Sequence, residues 1–247
     1  MRRFAFAVSL SLLASTALAG GLGDMTPAER DAFRTEVKQY LIENPEVIME
    51  AMQALQSKQD HAAAQADSTA LSSNADAIYK DEASWVGGNP DGNITVVEFM
   101  DYRCTYCRKA NAEVEDLVKT DGNIRFVIKE FPILGDDSLT SSKFAIAVRL
   151  LHGDAAYKSV HDALIVLRGA PDAETLTRLA KTLGFDPAPI MAKMESPDVS
   201  DIIKANHALA AKLNITGTPT FVIGTKMLRG YVPEDGMKQI VDQERAG

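Results

Sequence analysis

Cysteine is nearly missing from this chain: 247 residues carry two. With so few thiols, no disulfide framework can hold the fold together. Histidine is scarce as well, at four. None of His61, His152, His161 and His207 is paired at metal-ligand spacing, so surface or core roles are expected of them. Cationic charge is in deficit, with 26 Lys and Arg against 34 Asp and Glu and a formal net charge of -8. No basic stripe relieves it, and nucleic acid is excluded as an expected partner. Long apolar runs are absent too. The stretch Phe4 to Leu13 is too short to span a bilayer, and no other segment qualifies.

That short stretch has another reading. Met1-Arg2-Arg3 is basic, Phe4 to Leu13 apolar, and Ala17-Leu18-Ala19 a small-x-small cleavage site. Together they predict a secretory signal peptide over residues 1–19 and a soluble periplasmic product. No cysteine follows the cleavage site, so a lipid anchor is not expected. Export sends the chain where disulfides form. A secreted protein whose two cysteines form one CxxC pair is suited to handling the disulfides of other proteins.

The pair sits in Val96-Val97-Glu98-Phe99-Met100-Asp101-Tyr102-Arg103-Cys104-Thr105-Tyr106-Cys107-Arg108. The β-branched run from Ile94 to Met100 predicts a strand. Lys109–Lys119 reads as helix through Ala112, Val114, Leu117 and Val118. Strand, CxxC, helix is a redox arrangement. A Cys104 at the helix N-terminus would meet unpaired N–H groups and the helix dipole, both of which favour a thiolate. Cys107, one turn on, would be in reach to close or open a disulfide. A structural disulfide across a two-residue loop would constrain little. A zinc site lacks its other ligands, since there is no second CxxC.

Along the chain, Thr26-Pro27-Ala28-Glu29 is a capping box with proline at the first helical position. The helix it opens is apolar at Phe33, Val37, Tyr40 and Leu41. Asn44-Pro45 interrupts it, with Asn44 placed to cap a second helix carrying Val47, Ile48, Met52 and Leu55. Met49 and Met52 read as core filler rather than a copper site. Ser57 to Ala77 is polar, a helix tail or linker. The whole segment 24–84 is an arm that either folds back on the core or meets its copies in other subunits.

Trp85 to Gly92 is punctuated by turn residues and leads into the catalytic strand. Ile124 to Phe131 is a second strand, making a βαβ unit with a parallel pair. From Asp136 to Asn214 helical stripes follow one another, stopped at Gly153, Gly169, Gly184 and Asn214. Gly217-Thr218-Pro219-Thr220-Phe221-Val222-Ile223 returns to strand. Gly224-Thr225 turns it, Met227 to Gly230 pairs back, and Pro233 opens a last helix to Glu244. Pro219 belongs at a strand start, where no ladder bond is needed from it. An X-Pro bond there is cis, or an ordinary turn.

This order, with CxxC and Gly-Thr-Pro-Thr-Phe separated by helices, resembles DsbA-like thiol–disulfide oxidoreductases from Trp85 to the C-terminus. The resemblance implies an α/β thioredoxin fold over residues 85–247, with a helical insertion at about 136–214, behind a helical arm. It implies a cis Pro219 against the CxxC pair, with Thr218 and Pro219 offering backbone groups to substrate beside Thr105 and Tyr106. It implies a buried acid near the resolving cysteine, and Glu98 in its strand fits that place as a proton relay. The residue reading alone leaves Glu98 as that relay or as a solvated strand-edge acid. Lys129 is a candidate partner for it that strand alternation leaves open. Tyr40 to Ile48 is similar to the arm of suppressor-of-copper-sensitivity C proteins, in which a helical region can join three catalytic domains.

Cys104 would attack a substrate sulfur and Cys107 would resolve the mixed disulfide. No cofactor or metal is expected at this site. Thr105-Tyr106 lacks the histidine that the strongest oxidants of the family carry, which implies isomerisation or reduction of cysteine-containing protein substrates. Net oxidation is the alternative. So is a chaperone or copper(I)-binding module using the same cysteines. The resemblance further implies a membrane redox partner that resets the site, and a homotrimer through the arm.

Overall fold

The computed structural model describes residues 25–246, so the expected signal peptide lies outside the described residues. The chain divides into two units, the first ending at Asp60 and the second beginning at His61.

In the first unit, α1 (Pro27–Glu43) starts at the expected capping box. The Thr26 hydroxyl accepts from the Glu29 N–H, and the Glu29 carboxylate accepts from the Thr26 N–H at 2.9 Å. Asn44 does not cap the following helix. Its backbone N–H and its side-chain amide both donate to the Tyr40 carbonyl, at 2.8 and 2.9 Å, so it closes α1 instead. α2 (Glu46–Ser73) then runs unbroken through most of the polar stretch read as tail or linker. No residue of α1 is buried. Phe33, Val37, Tyr40, Ile48, Met49, Met52 and Leu55 are all exposed. Met49 and Met52 are therefore not core filler.

From His61 onward the chain belongs with the second unit, including the segment 61–84 read as arm. The end of α2 and α3 (Ala75–Tyr79) bury Leu71 and Ile78 in a cluster with Val97, Phe99 and Val127. The elements that follow are β1 (Trp85–Gly88), β2 (Ile94–Met100), α4 (Thr105–Asp121) and β3 (Ile124–Glu130). The insertion comprises α5 (Asp136–His152), α6 (Asp154–Ile165), α7 (Ala173–Thr182), α8 (Pro187–Met194) and α9 (Pro197–Lys212). β4 (Thr220–Ile223), β5 (Lys226–Arg229) and α10 (Glu234–Ala246) complete the fold.

The sheet runs β1-β3-β2-β4-β5, with β2 and β3 parallel across α4 and the other pairs antiparallel. Its two faces carry separate cores because side chains alternate along each strand. Val96 and Met100 pack with α4, α6 and α10, whereas Val97 and Phe99 pack with α3 and α9. β1 is a strand that its glycines conceal. A Cβ on Gly88, at φ 67°, would collide with the Ile124 carbonyl, so the close pairing of β1 on β3 needs that residue bare. α5, α7 and α9 end at the expected stops, with Asn214 in the left-handed region at φ 52°, but α6 ends at Ile165, four residues short of the expected Gly169.

Candidate active site

β2 ends at Met100, and the next three residues carry the chain to α4 under tight restraint. The Asp101 carboxylate accepts backbone N–H groups from Arg103 at 2.7 Å, Ile133 at 2.8 Å and Leu134 at 3.1 Å. The Asp101 carbonyl accepts the Cys104 N–H at 3.1 Å. Arg103 donates to the Gly169 carbonyl at 2.7 Å, and Arg108 Nε to the Tyr102 carbonyl at 2.8 Å. The turn before the cysteines is thus fixed to both the sheet and the insertion.

Cys104 is the N-cap of α4 and is 7% exposed, while Cys107 one turn on is 1% exposed. The helix begins at Thr105, a full turn earlier than its apolar periodicity starts. The Cys104 thiol is brought down to about 5. A hydrogen bond from the Cys107 thiol is the main cause; the Thr218 side chain and the Cys107 and Tyr106 N–H groups add to it, and burial opposes. Cys107 moves the other way. Burial raises it most, then its bond to the Cys104 sulfur and the charge of Glu98. At neutral pH these shifts favour the anion at Cys104 and the protonated thiol at Cys107.

The Thr218–Pro219 bond is cis. Cys104 Sγ lies 3.1 Å from the Thr218 carbonyl. Glu98, 4% exposed, sits inside β2 opposite Ile128 and Phe221. It is no strand-edge acid. Burial, then the charges of Cys104 and Glu130, push its carboxyl up to about 8. Lys129 does not join it. The lysine pairs with Asp81 on the other face of the sheet. Thr105 and Tyr106 form the exposed first turn of α4, and Tyr106 is 59% exposed.

Other residues that reasoning from sequence missed gather around the same turn. Tyr106 stacks on Tyr231 with ring centroids 6.3 Å apart, and the Lys109 ammonium lies 4.1 Å over the Tyr231 ring. A buried polar cluster stands behind the turn. Glu130 Oε1 is 2.8 Å from the Tyr102 hydroxyl and 2.6 Å from that of Tyr157, and Oε2 accepts from Ser142 at 2.7 Å. Glu130 ends an apolar strand and carries no motif, so only the register to β2 reveals it. Among the described residues no carboxylate or imidazole joins the two thiols in a ligand cluster of three.

The DSBA-like thioredoxin domain family model matches residues 95–242, and the Copper resistance protein ScsC N-terminal domain model matches residues 29–62. Among solved structures, the chain is similar to a thioredoxin-like oxidoreductase from Silicibacter pomeroyi DSS-3, at 38% identity and TM-score 0.66, covering 70% of this chain and 98% of that one. It is also similar to a linker-deletion mutant of Proteus mirabilis ScsC, at 26% identity and TM-score 0.69, covering 92% and 99%. Among curated proteins it is 24% identical over 170 residues to Disulfide bond formation protein D of Bacillus subtilis, covering 65% of this chain and 76% of that protein. It is 25% identical over 167 residues, 67% of this chain, to the Na(+)/H(+) antiporter NhaA of Herminiimonas arsenicoxydans, but spans only 26% of that relative's length. The match over more than half of the chain, with the CxxC helix and the cis-proline strand inside it, establishes the relationship. The chain belongs to the DSBA-like thioredoxin domain family, a family of thiol–disulfide oxidoreductases.

Proposed function

We propose that this protein reshuffles or reduces disulfides in cysteine-containing protein substrates outside the cytoplasm, with Cys104 as nucleophile and Cys107 as resolving thiol. The observation that carries the reading is the division between the two sulfurs, one held toward the anion at the α4 N-terminus and the other, more deeply buried, held as a thiol.

The Cys104 thiolate attacks one sulfur of a substrate disulfide. A Cys104–substrate bond forms, the substrate S–S bond breaks, and the second substrate sulfur leaves as thiolate. In isomerisation that thiolate attacks elsewhere in the substrate, and the last transfer frees Cys104 unchanged. In reduction Cys107 gives its proton to the ionised form of Glu98 and attacks Cys104, and the substrate leaves reduced while the Cys104–Cys107 disulfide forms. Glu98 suits the transfer because burial places its titration near neutral pH. The cis Thr218–Pro219 segment beside Cys104 supports a role in holding the substrate backbone, with Thr105 and Tyr106 on the rim. A membrane redox partner would reset the dithiol.

Thr105-Tyr106 between the cysteines offers no histidine to stabilise the thiolate further, which favours isomerisation over net oxidation. The exposed apolar residues of α1 and α2 support assembly of copies through the arm; that the assembly is a homotrimer rests on the arm's similarity to the ScsC N-terminal domain. None of the described helices is long and apolar enough to cross a membrane.

Recovery of activity from scrambled ribonuclease tests the reading. The protein with Cys104 and Cys107 intact is expected to restore native pairing. Failure to do so, alongside rapid oxidation of reduced ribonuclease, makes it an oxidase. Retention of holdase or copper(I) binding without either exchange makes it a binding module.

A further inference from the structure

The buried cluster behind the active-site turn has a hydrogen-bond order that its own geometry dictates. His161 on α6 is 3% exposed. Its Nδ1 lies 3.1 Å from the Tyr102 hydroxyl and its Nε2 3.0 Å from Asn111 Oδ1. The Asn111 amide nitrogen is engaged by Glu115 Oε1 at 3.3 Å, which orients the amide oxygen toward the imidazole. An oxygen facing Nε2 requires a proton on Nε2. In a neutral imidazole Nδ1 is then an acceptor, and the Tyr102 O–H donates to it. Tyr102 has a single hydroxyl proton, so its 2.8 Å contact with Glu130 Oε1 must be made by a proton on Glu130. Tyr157 and Ser142 donate to the two Glu130 oxygens without conflict. If Glu130 instead ionises, Tyr102 turns its proton to the carboxylate, and Nδ1 must donate as part of an imidazolium.

We propose that Glu130 and His161 share one proton through the Tyr102 hydroxyl, and that His161 is thereby a positioning residue for the dithiol. It holds Tyr102, two residues before Cys104, and Asn111, one turn after Cys107. The relay gives the insertion a hold on both sides of the CxxC turn. It also decides whether a negative charge stands on the sheet face that Glu98 shares.

The shift is balanced: one proton leaves Glu130 Oε1 for Tyr102 as the Tyr102 proton passes to His161 Nδ1, and no other group changes. Burial drives the Glu130 carboxyl up to about 7 and the His161 imidazole down to about 4, which supports the neutral arrangement at rest. On α6, Lys158 lowers His161, and Asp162 pairs with that lysine at 2.5 Å. Glu115 on α4 raises His161 and also holds Lys158, at 2.9 Å. Asp101 in the turn raises Glu130, and Glu98 on β2 is raised in turn by Glu130. Ser142 on α5, Tyr157 on α6 and Asn206 on α9 contact Glu130 without charge.

The inference rests on the dithiol-exchange reading, and its test separates the two. The reduced full-length protein is examined by two-bond proton–nitrogen NMR, with the His161 signals assigned by their loss in His161→Gln. The neutral tautomer with the proton on Nε2 is expected; the Nδ1–H tautomer overturns the relay. The slow phase of reaction with oxidised glutathione, which reports Cys107 attack, is then followed against pH for Glu130→Gln and His161→Leu. Glu130→Gln cannot acquire the negative charge that Glu130 gains beside Glu98 on ionising, and is expected to move the profile to lower pH. His161→Leu frees the Tyr102 proton for Glu130, which ionises more easily, and is expected to move it to higher pH. Each shift should be about half a pH unit or more. Profiles that coincide with the parent, or move in the same direction, contradict the relay, since loss of stability alone has no reason to produce opposite signs. A parent protein without a glutathione reaction defeats the exchange reading, while the tautomer still decides the relay.

Discussion

The Lys129 ammonium is bonded to the Asp81 carboxylate and, at 2.9 Å, to the Ala77 carbonyl, which ties the α3 segment to the centre of the sheet. Lys129 is 1% exposed, yet Asp81 keeps a quarter of its side chain in contact with solvent. The pair is therefore a half-buried link whose loss strands a carboxylate and an opened pocket between α3 and α9. Lys129→Met should destabilise the protein by about 2–4 kcal/mol in urea unfolding, with the m-value and the Cys104 titration unchanged. A cost under about 0.5 kcal/mol would show that the pair does not hold α3 in place.

The resolving role proposed for Cys107 has a direct chemical consequence. Cys107→Ser should leave Cys104 able to attack but unable to escape, so mixed disulfides with glutathione or substrate accumulate and are seen by mass spectrometry. Cys104→Ser should form none, because the remaining thiol is buried and its titration is raised. Equal trapping by both variants would remove the division of labour.

Glu98→Gln separates stability from activity. The folded-state titration of Glu98 is raised to about 8 from an ordinary value of 4.5. The stabilising contribution of its proton is complete below the unfolded value and is lost as pH rises through the folded one. Glutamine has no such loss. The variant should gain on the parent as pH rises from about 5 to about 8, by about 1–3 kcal/mol at the upper end, while the Cys107 step slows. A stability difference independent of pH would place Glu98 in solvent.

How far the site could be read before the fold was known differs from residue to residue. Cys104, Cys107, Thr218 and Pro219 carry their own motifs, and Glu98 stands out as an acid in an apolar run. The start of α4 follows from the CxxC motif and not from periodicity, because Thr105-Tyr106-Cys107-Arg108 shows no apolar spacing and Cys104 is not a common N-cap. β1 was hidden because the close approach to Ile124 needs glycine, which reads as a turn. The partner of Lys129 depended on register. Once Glu98 pairs with Ile128, the alternation puts Lys129 on the opposite face, beside Phe99. Tyr102, Asn111, Glu130 and His161 meet only in the folded chain, being drawn from four different segments. Met49 and Met52 have helical spacing that says one face is apolar without saying what covers it.

The arm offers a test by mass. Removing residues 25–60, the described part of the first unit, should convert an assembly into a monomer in multi-angle light scattering while dithiol chemistry in the second unit persists. A full-length monomer, or an assembly that survives the deletion, would contradict the role given to the exposed face of α1 and α2.

The proton count of reduction follows from Cys104. Below its titration near 5, reducing the disulfide takes up two protons with two electrons; above it, one proton suffices. The reduction potential should fall by about 59 mV per pH unit on the acid side and about 30 mV on the neutral side. A slope of about 59 mV throughout the neutral range would mean that both sulfurs are protonated there.

The most direct measurement is the ionisation of Cys104 itself, followed by thiolate absorbance or by the rate of iodoacetamide alkylation in the Cys107→Ala and intact reduced proteins. The intact protein should titrate near pH 5, and the alanine variant higher, because the Cys107 thiol makes the strongest of the bonds to the Cys104 sulfur. A midpoint near 9.0, the ordinary value for a cysteine thiol, would contradict an anion held at the start of α4, and with it the exchange chemistry derived from that anion.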